Sequence, residues 1–164
     1  MKVVALISQS DHNNTSFEES QLEIENMNTM SAGTYYVGDL CYVMHDCWDE
    51  VCELTLEEST GLEGVFKLKD GRTFAMFNTA GDGTYYSEMG QRFSVDSGSI
   101  GCINIKDIRD NTSLKEILYL GEIVTFIDPF TVQSCNRTIS FGNVSIHMEL
   151  DDCDYCDDEE DDLW

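Results

Sequence analysis

Val65-Phe-Lys-Leu-Lys-Asp-Gly-Arg-Thr-Phe-Ala-Met-Phe-Asn78 is the stretch that decides the fold. Two apolar runs flank Asp70-Gly71, whose small residues tolerate the positive φ of a type I′ hairpin turn. A two-residue turn at that point predicts that Leu68 pairs with Thr73 and Phe66 with Ala75. Phe66, Leu68, Ala75 and Phe77 then share one face.

The same grammar extends in both directions. Short runs rich in Tyr, Phe, Val and Ile alternate with turn residues from Gly33 onward, the sequence form of antiparallel β structure. Tyr35–Val37 and Leu40–Met44 flank Gly38-Asp39. Thr84–Glu88 and Gln91–Val95 flank Met89-Gly90, with Tyr86 expected opposite Phe93. Ile139–Phe141 and Val144–Met148 close around Gly142-Asn143, and Ile100–Ile105 and Glu122–Ile127 read as further strands. Two helical turns interrupt the pattern. Asp46 is placed to cap Cys47–Leu54, where Trp48, Val51 and Cys52 share a face, and Ser113-Leu-Lys-Glu116 has capping-box spacing. Pro129, the single proline, marks a turn or an edge between strands. The expected fold class is all-β, mainly antiparallel: a sandwich or partly open barrel with one or two short helices over residues 31–150. A loosely ordered leader precedes it at 1–30, and an acidic, disordered tail follows at 151–164. Gly-Thr-Tyr-Tyr occurs twice, at 33–36 and 83–86, too little to establish an internal repeat.

Charge narrows the function classes. The 164 residues hold 32 Asp and Glu against 9 Lys and Arg, a formal net charge of −23. Such a chain repels phosphate backbones and anionic membranes and attracts basic protein surfaces. No direct nucleic-acid binding and no membrane partner are expected. Apolar residues make up 41% of the chain, enough to pack a core. No apolar run approaches the roughly 20 residues that cross a bilayer, and the Val3–Ile7 run falls short of a signal-peptide core. A soluble, intracellular (cytoplasmic) protein is expected. In that setting the seven cysteines read as reduced thiols.

Tyr35-Tyr-Val-Gly-Asp-Leu-Cys-Tyr-Val43, Trp48-Asp-Glu-Val-Cys52, Gly81-Asp-Gly-Thr-Tyr85 and Val95-Asp-Ser-Gly-Ser-Ile-Gly101 together resemble a group of small uncharacterised β-rich proteins from viruses and microbes. The resemblance covers roughly residues 31–105. It implies a compact β-rich fold and, since no activity is established for the group, no mechanism.

The strongest functional signal is Asp151-Asp-Cys-Asp-Tyr-Cys-Asp-Asp-Glu-Glu-Asp-Asp-Leu-Trp164, nine carboxylates in fourteen residues with no base. Mutual repulsion and the want of apolar side chains keep such a segment open for binding. Its expected partner is a basic protein. Asp157, Asp158, Glu159, Glu160, Asp161 and Asp162 supply attraction, and Leu163 and Trp164 insert as anchors. A nucleic-acid mimic that inhibits a DNA-binding protein is the first alternative, since the total charge matches that of a duplex of similar length; it requires the charges to be arrayed along one surface. A small hydrolase is the second, with Asp39, Asp82 and Asp96, each beside a glycine-containing turn, as acid/base candidates. Asp beside Gly is also ordinary turn chemistry, and no nucleophile elbow, P-loop, HExxH or GxGxxG is present. Cys153-x-x-Cys156 has the spacing of half a tetrahedral thiolate site, with Cys41, Cys47 and Cys52 or His45 and His147 as candidates to complete it, but no second CxxC is present and a lone Cys in a β core is usually a small hydrophobe. No cofactor and no metal are expected.

Overall fold

The computed structural model describes residues 28–57, 60–109 and 114–149. The expected tail and all but the end of the expected leader lie outside them, as do Ser113 and Cys153-x-x-Cys156.

The deciding hairpin forms one residue out of the expected register. Strands β5 (Gly64–Lys67) and β6 (Thr73–Asn78) pair Phe66 with Phe74 and Val65 with Ala75. Leu68 N–H donates to the Arg72 carbonyl at 2.8 Å and Gly71 N–H donates to the Leu68 carbonyl at 2.9 Å, so the loop holds three residues, Lys69-Asp70-Gly71. Gly71 sits at φ +95°, as the closing glycine of a bulged three-residue hairpin loop does. The slip has the consequence that period-two geometry demands: side chains exchange faces. Phe66, Leu68, Phe74 and Met76 point to one layer, whereas Val65, Ala75 and Phe77 point to the other.

The second hairpin slips in the same way. β7 (Gly83–Tyr86) and β8 (Arg92–Val95) pair Tyr85, not Tyr86, with Phe93, around a Glu88-Met89-Gly90 loop in which Gly90 has φ +80°. Tyr85 and Phe93 are buried and Tyr86 is exposed. In the third hairpin the expected two-residue turn holds: β12 (Thr138–Phe141) and β13 (Val144–His147) pair Phe141 with Val144 across Gly142-Asn143.

The architecture is the expected all-β class in its sandwich form. A five-stranded sheet runs β10-β2-β9-β6-β5, with β2 (Gly33–Gly38), β9 (Ser99–Asn104) and β10 (Glu122–Phe126). A four-stranded sheet runs β1-β11-β12-β13, with β1 (Thr29–Met30) and β11 (Phe130–Cys135). Two-stranded ribbons are formed by β7 with β8 and by β3 (Leu56–Glu57) with β4 (Thr60–Gly61). Every pairing is antiparallel. The β7–β8 ribbon bridges the sheets along one side. Glu88 N–H donates to the Ser145 carbonyl on β13, and Ser94 N–H donates to the Leu120 carbonyl just before β10. Pro129 falls in the turn between β10 and β11, as expected.

Alternation along the five-stranded sheet divides two cores. Tyr35, Val37, Ala75, Phe77, Ile100 and Cys102 face the other sheet and meet Val132, Ile139, Phe141 and Ile146. Tyr36, Phe74, Met76 and Ile103 face the opposite layer, which consists of helix α1 (Trp48–Thr55) and the turns that lead into it. Leu40–Met44, expected as a strand, instead enters a 3-10 turn at Leu40–Tyr42. Asp39 caps it by accepting from Cys41 N–H, which ends β2 and drops Leu40, Val43 and Met44 into the second core. Helix α1 begins one residue later than expected and has no side-chain cap; Asp46 pairs with Arg72 instead. A four-residue helix, α2 (Leu114–Ile117), buries Ile117.

The two Gly-Thr-Tyr-Tyr segments share a local structure. Tyr35 Oη–H donates to the Ser31 carbonyl at 2.8 Å and Tyr85 Oη–H donates to the Gly81 carbonyl at 2.7 Å, each four residues upstream. The glycines two residues before them have φ +154° and +153°. Both rings lie in the inter-sheet core. The phenol thus buries its ring and ties the strand entrance to the preceding loop, as a tyrosine corner does. Tyr35→Phe and Tyr85→Phe are each expected to lower stability by about 1 kcal/mol, the worth of one such bond. Urea unfolding of the two variants measures it.

Candidate functional site

Asp39, Asp82 and Asp96 come from three separate segments, and the fold brings them together at the mouth of the Asp96–Ser99 loop. Asp39 is fully buried. Its Oδ1 accepts from Cys41 N–H (3.0 Å) and Ser97 Oγ–H (2.7 Å), and its Oδ2 accepts from Asp96 N–H and Ser97 N–H (2.7 Å each). Four donors fill the lone pairs of one carboxylate. The residue therefore fastens the β2–turn junction to the loop between β8 and β9. Asp96 is exposed and accepts from Tyr42 Oη–H. Asp82 is exposed too, and its Oδ1 approaches Gly98 closely enough that a Cβ there would lie 3.8 Å away.

Cys41 stands among the three. Burial pushes its thiol pKa well up, and a hydrogen bond to Asp39 with the charges of Asp39, Asp96 and Asp82 pushes it further. The thiol is held neutral, the opposite of the environment that activates a nucleophilic cysteine. Burial likewise raises Cys47, to about 11, and Cys52. Cys41, Cys47, Cys52, Cys102 and Cys135 are all free thiols. Among the described residues no three His, Cys, Asp or Glu side chains are arranged to hold a metal ion.

Arg72 is the buried cation. Its side chain donates to Asp46 Oδ2 (2.7 Å), to Asp70 Oδ2 (2.9 Å) and to the Asp107 carbonyl (3.0 Å). Asp70 also receives Arg72 N–H and Arg109, and the Arg72 N–H bond above all holds its carboxyl below the usual range. A depressed carboxyl stabilises the fold above its unfolded pKa, near 4, and that contribution is lost as pH falls through the lower folded value. Asp70→Asn is therefore expected to remove part of the acid sensitivity of unfolding below about pH 4, read from melting temperatures between pH 2 and 6.

The cations spent on internal contacts leave an acidic face that sequence reading missed. Residues 46–63 contain seven Asp and Glu and no Lys or Arg. In α1, Val51 and Thr55 are buried while Asp49 and Glu53 are exposed, which puts two carboxylates four residues apart on the side directly away from the core. Leu56, at the helix end, is 61% exposed and Leu62 is 40% exposed. The run of acids could have been found by counting charge in windows shorter than a domain.

An open groove of about 740 Å3 lies elsewhere, lined by Asn78, Thr79, Ser134, Arg137, Met148 and Glu149. None of the three aspartates borders it. Arg137 and Asn136 form the β11–β12 turn with φ +59° and +50°, the pair of positive values that a type I′ turn uses. Tyr35, Tyr36 and Tyr85 are buried in the two cores. No helix among the described residues is long and apolar enough to cross a membrane. Asp157–Trp164 and Cys153-x-x-Cys156 lie outside the described residues. No protein-family model, curated protein or solved structure matches the chain.

Proposed function

We propose that the protein is a non-enzymatic, acidic binding protein that recruits a basic protein partner. The observation that carries this reading is the distribution of charge. The described residues hold 16 Asp and Glu against 8 Lys and Arg, and residues 151–164 add nine acids and no base. Arg72 and Arg109 are occupied with the protein's own carboxylates. Excess negative potential extends about one Debye length, some 8–10 Å, into physiological salt and speeds encounter with a positive surface. Leu163 and Trp164 then supply the short-range apolar contact that fixes the complex.

Pull-down of a basic partner by the full chain and by a 1–150 truncation, at 50 and 300 mM salt, tests this. Recovery is expected from the full chain at low salt, with a marked loss on truncation or at high salt. Equal recovery by both chains at both salts sinks the role given to residues 151–164.

A further inference from the structure

We infer that the outer edge of β10 is a self-association surface, and that its occupant is the β10 edge of a second copy of this chain, paired antiparallel about a two-fold axis at Val124. The inference goes beyond the recruiting role and uses none of residues 151–164.

β10 ends the five-stranded sheet, with β2 as its one neighbour among the described strands. Which of its backbone groups face outward follows from alternation along antiparallel ladders. The Ala75 carbonyl stands where a Cβ on Gly101 would be, so Ala75 turns its N–H and C=O to β9 and bonds with its partner Cys102. Cys102 therefore points toward β6 and away from β2, and Val37 opposite it points toward β10. The Val37 carbonyl beside Gly121 agrees. Val37 pairs with Glu122, so Glu122, Val124 and Phe126 bond inward, whereas Ile123 and Thr125 present N–H and C=O to the outside. Among the described residues, the β7–β8 ribbon bonds to this side at Leu120, before the strand begins.

The other sheet edges are protected, and this one is not. β1 has two residues, β5 carries Lys67 and ends where Glu50 accepts from Lys69 N–H, and β13 is bridged by Ser87 and Glu88. Short strands, edge lysines and covering segments are the devices by which sheets avoid pairing with other chains. After Glu122, β10 reads Ile-Val-Thr-Phe, with neither charge nor proline. Thr125 is exposed, and apolar residues project beyond both ends of the strand: Tyr119 is 67% and Ile127 is 87% exposed.

Register selects a second copy as the occupant. Centred on Val124, the pairing puts Ile123 opposite Thr125 of the second copy and Thr125 opposite its Ile123, which satisfies every outward backbone group of both strands. Glu122 then falls opposite Phe126. Ile127 falls opposite Gly121, two residues from Tyr119, so the exposed end of each strand covers the other. Centred one residue later, Glu122 meets Asp128, a like-charge pair that destabilises; centred one residue earlier, Thr125 meets Gly121, outside the strand. Two chains of charge −23 repel, so this association is expected to strengthen with salt, the opposite of attraction to a basic partner.

Sedimentation equilibrium of the full chain between about 10 and 500 µM, at about 50 and 500 mM salt, tests the assignment together with amide hydrogen exchange. A dimer is expected that tightens at the higher salt, with the Ile123 and Thr125 amides passing from fast to slow exchange as concentration rises. Thr125→Pro removes an outward N–H on each copy and is expected to weaken dimerisation about tenfold or more. Thr125→Ala loses the same contact with Thr34 Oγ1 but keeps the N–H, and is expected to dimerise as the parent does. The exchange measurement decides the matter in the parent chain, whatever the stability of the proline variant. A chain that is monomeric throughout overturns the assignment and leaves the recruiting role standing. A dimer whose Ile123 and Thr125 amides stay fast, or one that a folded Thr125→Pro variant forms as tightly as the parent, overturns it too.

Discussion

Asp39→Ala is expected to destabilise the fold by about 3–5 kcal/mol, the range for breaking a buried, fully hydrogen-bonded charge network. The substitution strands the N–H groups of Cys41, Asp96 and Ser97 and the Ser97 hydroxyl, all four of which end on this one carboxylate. It also frees the 3-10 turn at Leu40–Tyr42 from its cap. Asp39→Asn distinguishes a fastening role from a chemical one. An amide keeps one acceptor oxygen and turns its NH2 toward two donors, so it is expected to recover little stability, of the order of 1 kcal/mol. Denaturant unfolding of both variants measures this. An asparagine variant as stable as the parent contradicts the assignment of Asp39 as a structural clasp.

The second large effect is expected at Gly101. A Cβ at this position would lie 2.1 Å from the Ala75 carbonyl oxygen and 2.8 Å from Leu40 Cδ1. Leu40 can turn aside. The carbonyl cannot, because β6 and β9 pair Met76 with Gly101 and Ala75 with Cys102 in the middle of the five-stranded sheet. Gly101→Ala therefore requires the ladder to open, and its cost is expected at about 4 kcal/mol or above, the range reserved for overpacking and broken backbone networks. Gly71→Ala is the matched control. Nothing lies within 4 Å of its Cβ position, but its φ is +95°, so the strain alone is expected to cost about 1–2 kcal/mol. Melting temperatures of the two variants, recorded side by side, give the comparison; equal losses contradict the close approach.

These effects show which parts of the fold a reader of the sequence can and cannot reach. The runs of Tyr, Phe, Val and Ile identify strands because alternation is a property of the chain alone, and β9, β10 and the β12–β13 hairpin follow the expected bounds closely. Register is different. Asp70-Gly71 suits a two-residue I′ turn and a three-residue bulged loop alike. The choice falls to the second because Asp70 turns its carboxylate back onto Arg72 N–H and Nε, a contact that depends on Arg72 being buried against Asp46. Leu40–Met44 is apolar enough for a strand, yet a buried acceptor at Asp39 makes it a turn. Its donors lie 57 and 58 residues away in sequence. β11 went unread because Phe130 and Val132 alternate with Thr131 and Gln133 and the inward run then breaks at Ser134, and its turn uses Arg137 at positive φ in place of glycine.

The surface proposed to bind follows the same division. The acids of residues 151–164 are legible as a run. The exposure of Asp49 and Glu53 on α1 is not, because the same letters describe a helix whose carboxylates merely favour its N-terminus. The difference is made by Arg72, which draws Asp46 and Asp70 inward and leaves Asp49 and Glu53 without a cation of their own. Asp39, Asp82 and Asp96 do converge, as the hydrolase alternative asked, but Asp39 has every lone pair engaged and the 740 Å3 groove is lined by none of the three.

The claim on which the account rests is that uncompensated negative charge is the working surface of this protein. The most direct measurement is the affinity of the full chain for a labelled basic protein as a function of salt, with Asp157, Asp158, Glu159, Glu160, Asp161 and Asp162 intact and then neutralised to Asn and Gln. The account predicts tight binding that weakens steeply with salt, and a weaker, flatter curve after neutralisation. Two superimposable curves, or binding indifferent to salt, would contradict it.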